Sequence, residues 1–198
     1  MTAQILQFKI TLRDITPAVW RRIQVPGNYS FWDLHVAIQD AMGWTDSHLH
    51  MFRLQNSEGS KIRMLGLPDP DGEVQIEAGW NVDLAGHFLR AGDLLYYEYD
   101  FGDGWEHEIL FEGRPDANQK TKYPHCLEGA RACPPEDCGG VPGYEDLINA
   151  TRDPNHERHE ELVEWHGGVI NPEEFDAESV DFDDPRERLK LVRSGPPF

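Results

Sequence analysis

The run LLYYEYDFGDGWEHEILFE, residues 94–112, decides how the rest of the chain is read. Two period-two segments, Leu94–Phe101 and Trp105–Glu112, flank Gly102-Asp103-Gly104, the signature of a β-hairpin. A three-residue loop pairs Phe101 with Trp105, Tyr99 with His107, Tyr97 with Ile109 and Leu95 with Phe111, which gathers one aromatic and aliphatic face. The opposite face then sets Glu98 against Glu108 and Asp100 against Glu106, a destabilising match unless a cation intervenes. A two-residue Asp103-Gly104 loop pairs Asp100 with His107 but scatters the apolar face, so the first register is preferred.

Upstream, QFKITL (7–12) and VWRRIQV (19–25) alternate as strands on either side of a turn at Thr16-Pro17. Ser30 with Asp33 three residues on reads as an N-cap with a capping box, and Leu34, Ile38, Ala41 and Met42 form the stripe of a helix ending at Gly43. LHMFRL (49–54) is a further strand. Strand, strand, helix, strand predicts an α+β fold with a β-grasp-like mixed sheet, the helix packed across it and the aromatic hairpin extending it.

Residues 56–80 are turn-rich (NSEGS, PDPDGE), and a helical turn near Asp83-Leu84-Ala85 precedes Gly92-Asp93. Residues 113–143, dominated by Pro, Gly and Cys, predict a long irregular segment. Beyond it come a short helix over 143–151, a helix from Asp153-Pro154 to His166 stopped by Gly167-Gly168, and a basic amphipathic helix over about 184–193. The expectation is one domain over residues 1–198, with a sheet-forming part (1–112), a Cys/Pro/Gly-rich loop (113–143) and a helical part (144–198).

The 198 residues carry 18 basic and 36 acidic side chains, a formal charge of −18. Residues 1–60 are neutral, so the acid is loaded onto the hairpin and the C-terminal helices. That field repels phosphate backbones and anionic membranes, so no direct nucleic-acid or membrane binding is expected; a basic protein partner or a cation is. A hydrophobic content of 39% with 11% aromatics argues against disorder. No apolar run of about 18 residues and no signal-peptide pattern is present, and a cytoplasmic location is expected.

Three groups invite a chemical reading. Cys126, Cys133 and Cys138, with His125 adjacent, offer the donors of a structural Cys3His zinc site, although the C-x6-C-x4-C spacing lacks a C-x2-C knuckle. Reduced, partly buried thiols are the competing reading. Asp100, Asp103 and His107 are candidates to hold a hydrolytic metal, against ordinary Asp-Gly turn chemistry and a core histidine. Candidate ligand-binding residues are His48 and His50, which share a strand face, with Glu98 and Glu106; the glutamates also have Arg21 and Arg22 as prospective partners. NHERHEE (155–161) is not a zinc-protease helix, because its histidines are three apart rather than four. Most of the six tryptophans fall at apolar-periodic positions and are assigned to the core.

The strings ITPAVWRRIQVP, FWDLHVAIQDAMGW, HLHMF, YEYDFGDGWEHEI, CLEGARACPPEDCGG, GYEDLINA, NHERHEELVEWHGG and PEEFD resemble, in order, the Ri-plasmid open-reading-frame-three family over about residues 6–192. The resemblance implies kinship with proteins of plasmids, transposons and chromosomes, some labelled transposon resolvases. A serine recombinase needs a nucleophilic Ser ringed by arginines and a basic DNA-binding element. Here only Arg13, Arg21 and Arg22 cluster, with no Ser beside them. The expected function is therefore a soluble, non-catalytic binding or interaction module, with an accessory role beside mobile elements left open. A metal-dependent hydrolase using Asp100, Asp103 and His107 is the alternative.

Overall fold

The computed structural model describes residues 4–55, 62–68 and 74–194. The NSEGS run and most of PDPDGE lie outside them. Among the described residues are strands β1 (Ile5–Leu12), β2 (Trp20–Pro26), β3 (His50–Gln55), β4 (Ile62–Gly66), β5 (Glu77–Ala78), β6 (Leu94–Tyr99), β7 (Trp105–Gly113) and β8 (His125–Ala130). Helices α1 (Phe31–Met42), α2 (Gly140–Arg152), α3 (His159–His166) and α4 (Pro185–Ser194) complete the mixed α+β architecture.

The strands form one sheet in the order β5-β4-β3-β6-β7-β1-β2-β8, antiparallel except where β4 meets β5. The hairpin joins the sheet as expected, but β6 and β7 lie between β3 and the β1-β2 pair, and β4, β5 and β8 add further strands, so the β-grasp-like arrangement expected of the first half is not what the strand order gives. The aromatic hairpin forms in a different register: Tyr99 faces Trp105, Tyr97 faces His107 and Leu95 faces Ile109. The turn therefore spans five residues, 100–104. Asp100 adopts φ 54° and Gly104 φ 69°, and the Asp100 carboxylate accepts from the Gly102 and Asp103 amides. The slip is even, so each side chain keeps its predicted face while its partner changes.

On the outer face Glu98 now opposes Glu106. Arg53 of β3 reaches both, and Arg13 adds a 2.5 Å contact to Glu106, which supplies the cation the sequence argument required. The expected pairing of Glu98 and Glu106 with Arg21 and Arg22 does not form; Arg22 pairs instead with Glu112 at 2.7 Å. Arg21 does not join it. Its buried guanidinium turns inward and donates to the carbonyls of Ala41, Trp20 and Ala130.

Helix α1 matches its sequence signals. Ser30 caps it with the reciprocal Asp33 contact, and Gly43 ends it at φ 90°. Ten of its twelve residues are buried, including His35 and Gln39, because the sheet covers one side and α4 part of the other. Trp32 donates to the Pro185 carbonyl at 2.8 Å, and Arg188 of α4 reaches Asp40 at 2.8 Å.

Two expectations change downstream. The segment 113–143 is not wholly irregular: β8 pairs with β2 as the outermost strand. Gly129 permits this approach, since a Cβ there would sit 2.5 Å from the Phe175 ring and 2.7 Å from the Trp20 carbonyl. The helix assigned to Asp153-Pro154 begins later, at His159, because residues 153–158 form turns after α2. Trp165 is 49% exposed, whereas Trp32, Trp44 and Trp105 are buried in the core. No helix among the described residues is long and apolar enough to cross a membrane.

Candidate functional site

Three loops far apart in sequence meet at one end of the sheet: residues 44–49 before β3, the hairpin turn 100–104, and the Pro134–Gly139 segment before α2. Trp44 donates to the Pro134 carbonyl at 2.9 Å, the Asp100 amide donates to the Leu49 carbonyl at 2.9 Å, and the Gly139 amide donates to Asp103 Oδ2 at 3.1 Å. Asp103 thus places its charge at the N-terminus of α2, where the helix dipole favours it.

Glu136 fastens the loops from beneath. Its carboxylate accepts from the Thr45 amide at 2.8 Å and from the Tyr99 hydroxyl at 2.9 Å. Asp100 Oδ1 is consumed by the turn amides, which leaves Oδ2 directed at His48. His48 Nε2 lies 3.1 Å from Asp137 Oδ1, 3.7 Å from Asp100 Oδ2 and 4.0 Å from Glu136 Oε2. Asp100 and Asp137 both adopt the left-handed backbone region, at φ 54° and 57°. Leu49 and the 44%-exposed Phe101 complete a shallow depression of about 320 Å³ with Ser47, His48 and Asp100. The notch offers one imidazole, the nearly buried Asp100 carboxylate and the largely exposed Asp137 carboxylate beside an apolar wall, an arrangement complementary to a cation.

A second cluster lies beneath it in the core. His35 of α1 pairs with the Tyr97 hydroxyl through Nδ1 and with Asp46 Oδ1 through Nε2, each at 2.8 Å. Gln39 donates to the same hydroxyl at 3.0 Å and accepts from the Asp46 amide through its side-chain oxygen. The His50 ring stacks on His35 with centroids 3.5 Å apart and planes 9° from parallel. Burial holds both imidazoles well below the usual histidine range and lifts the Asp46 carboxyl to about 6.

The structure thus divides the predicted residues. His48 and His50 enter different clusters. Asp100, Asp103 and His107 do not converge: His107 is sealed on the inner sheet face against Trp44 and Tyr97, with desolvation lowering its pKa to about 4, and Asp103 is bound to Gly139. Glu98 and Glu106 lie on the outer face in arginine contacts, away from the histidines. The Cys3His set does not assemble as drawn. His125 and Cys126 are neighbours on β8 and so project to opposite faces, His125 exposed and Cys126 buried. All three cysteines are free, and burial raises each thiol, Cys126 to about 11 and Cys138 to about 12. The charge of Arg21 already acts on Cys126 and Cys133. Among the described residues, the groups of three or more potential ligand atoms within 4.8 Å are His35/Asp46/His50 and His48/Asp100/Asp137.

Sequence reasoning passed over His35, Asp46, Glu136 and Asp137. The pattern of α1 marks His35 as an internal position, since its neighbours Leu34 and Val36 are apolar, but the spacing 35, 46, 50 follows no ligand motif. Glu136-Asp137 stood out only as part of the ACPPEDCGG string.

Residues 4–183 match the family model described as plasmid pRiA4b ORF-3-like protein. The chain is 40% identical over 184 residues to the uncharacterized protein y4hQ of Sinorhizobium fredii, covering 92% of this chain and 89% of that one. The crystal structure of a protein of unknown function, MM3350 from Methanosarcina mazei Go1, superposes with a TM-score of 0.82 at 36% identity, over 92% of this chain and 100% of that chain.

Proposed function

The chain belongs to the plasmid pRiA4b ORF-3-like family, and on that premise we propose that it is a non-catalytic binding module whose His48/Asp100/Asp137 notch receives a lysine or arginine side chain of a protein partner. The observation that carries this reading is the convergence of two carboxylate oxygens on one imidazole beside an exposed aromatic ring. A cationic head meets the carboxylates while its aliphatic stem lies on Phe101 and Leu49, the usual way long basic side chains divide between water and apolar surface. A net charge of −18 steers such partners inward at low salt. The family's plasmid origin supports an accessory role beside mobile-element proteins, and three unpaired cysteines are in keeping with a reducing cytoplasm.

The hydrolase alternative receives less support. Of its three residues only Asp100 faces the notch.

The test is fluorescence anisotropy with a labelled oligo-arginine peptide. D100N/D137N should weaken binding about tenfold, the loss of about 1.4 kcal/mol, while D181N/E187Q, with the same charge change elsewhere, should leave it near wild type. Equal weakening by both pairs would reduce the interaction to the overall field and remove the notch from it.

A further inference from the structure

We propose that His35, Asp46 and His50 form a buried site for a divalent transition metal of the zinc class, separate from the surface notch. One nitrogen of each ring and one carboxylate oxygen lie within 4.8 Å of one another, a two-imidazole, one-carboxylate donor set suited to borderline metals. The decisive observation is His50. It is 1% exposed, and neither ring nitrogen has a hydrogen-bond partner among the described residues. Buried polar groups are overwhelmingly partnered, so a fully enclosed imidazole with two unused nitrogens calls for a ligand. Because the two rings lie 9° from parallel, their in-plane lone pairs run side by side, and one ring must tilt out of the stack for both to hold the same ion.

The surroundings fit that role. Ligating histidines ordinarily engage a hydrogen-bond partner through the other ring nitrogen, and His35 does so through Nδ1 to Tyr97, itself fixed by Gln39. Coordination through His35 Nε2 leaves the ring proton on Nδ1, where the Tyr97 oxygen accepts it. At neutral pH both imidazoles are uncharged and Asp46, at about 6, is ionised, which are the forms a cation needs. Arg188 bears on His35 and Asp46 from α4, but its charge is matched by Asp40 and Asp183. Asp46 adopts φ 58°, a conformation that turns the loop so that its carboxylate points inward.

The experiment uses the full, untagged chain. Chelator-stripped protein is titrated with Co²⁺, read by ligand-field absorption, and with Zn²⁺, read by the thermal midpoint with and without chelator. Wild type should bind one equivalent of Co²⁺ at the buried site and lose thermal stability in chelator. H50L, whose side chain suits an apolar enclosure, should remain folded, bind at least about 100-fold more weakly and show no chelator response. Y97F should weaken binding by about 10- to 100-fold. C133S and H48A should retain wild-type affinity, which separates this site from the thiols and from the notch. Unchanged Co²⁺ binding in H50L would overturn the proposal. So would a wild-type protein that takes up no metal, with H50L more stable than wild type in every buffer.

Discussion

His48 and His50 stand two residues apart at the entrance to β3, and strand alternation alone would give them one environment. They have two. His48 emerges among carboxylates at the rim, while His50 is closed in beneath α1 against another imidazole. What separates them is depth along the strand direction, not the face of the sheet. His50 is the first paired residue, opposite Tyr99, whereas His48 belongs to the loop held by the hairpin turn and the Pro134–Gly139 segment. Period-two reasoning reports which side a residue takes and is blind to where the covering helix stops.

The largest expected effect breaks the buried member of the pair. His35, His50 and His107 have folded pKa values below the unfolded value near 6.5, so the unfolded chain binds protons that the native state excludes. Their contribution to stability is complete above pH 6.5 and is lost as pH falls below it. Asp46, raised to about 6, acts in the opposite sense below that pH. Three histidines against one aspartate leave a net loss of stability as pH falls from 6 to 5. Urea unfolding in chelator at pH 7, 6 and 5 should show a falling midpoint. A flat midpoint would mean that these rings are protonated in the native state.

Next in size, D46A should cost about 2–3 kcal/mol at pH 7 in chelator, because in the metal-free protein the buried His35 Nε2 loses its acceptor while the ring stays enclosed. D46N, which can still accept through its amide oxygen, should recover about half of that. Denaturant midpoints of the two variants distinguish a lost hydrogen bond from a general loss of loop order.

The same contrast explains what the sequence disclosed. The faces of the aromatic hairpin, the capped helix ending at Gly43 and the need for a cation between opposed glutamates all follow from local rules, and Arg53 answers the last. The hairpin register does not, because a five-residue loop closed by the Asp100 side chain competes with the shorter one and preserves the faces equally well. The strand β8 was hidden by Pro, Gly and Cys composition, since its place depends on a close approach at Gly129 that only the partner strand reveals. Of the notch, His48 and Asp100 were legible and Glu136 and Asp137 were not; of the buried cluster, only His50. Each is assembled by loop closure between elements remote in sequence, and no periodicity encodes that.

At the base of the notch the effect shrinks. E136A removes the acceptor shared by the Thr45 amide and the Tyr99 hydroxyl, both near enough to the surface for water to replace part of the loss, and about 1 kcal/mol of destabilisation is expected. The conservative E136Q keeps an oxygen for those donors and should restore most of it in the same melts.

At the rim itself, H48A is the smallest perturbation and the sharpest test of the comparison. The ring is half-buried and meets its carboxylate neighbours at 3.1 to 4.0 Å with Asp137 largely in water, so truncation should change stability by no more than about 0.5 kcal/mol. Removing the imidazole also unblocks Asp100 Oδ2 and Asp137 Oδ1. Oligo-arginine affinity should then hold or rise slightly if the ring merely screens the carboxylates, and fall if the ring is part of the contact. Stability distinguishes the two histidines whichever way affinity moves. A loss above about 1 kcal/mol for H48A would place it energetically with His50 and erase the distinction between rim and core.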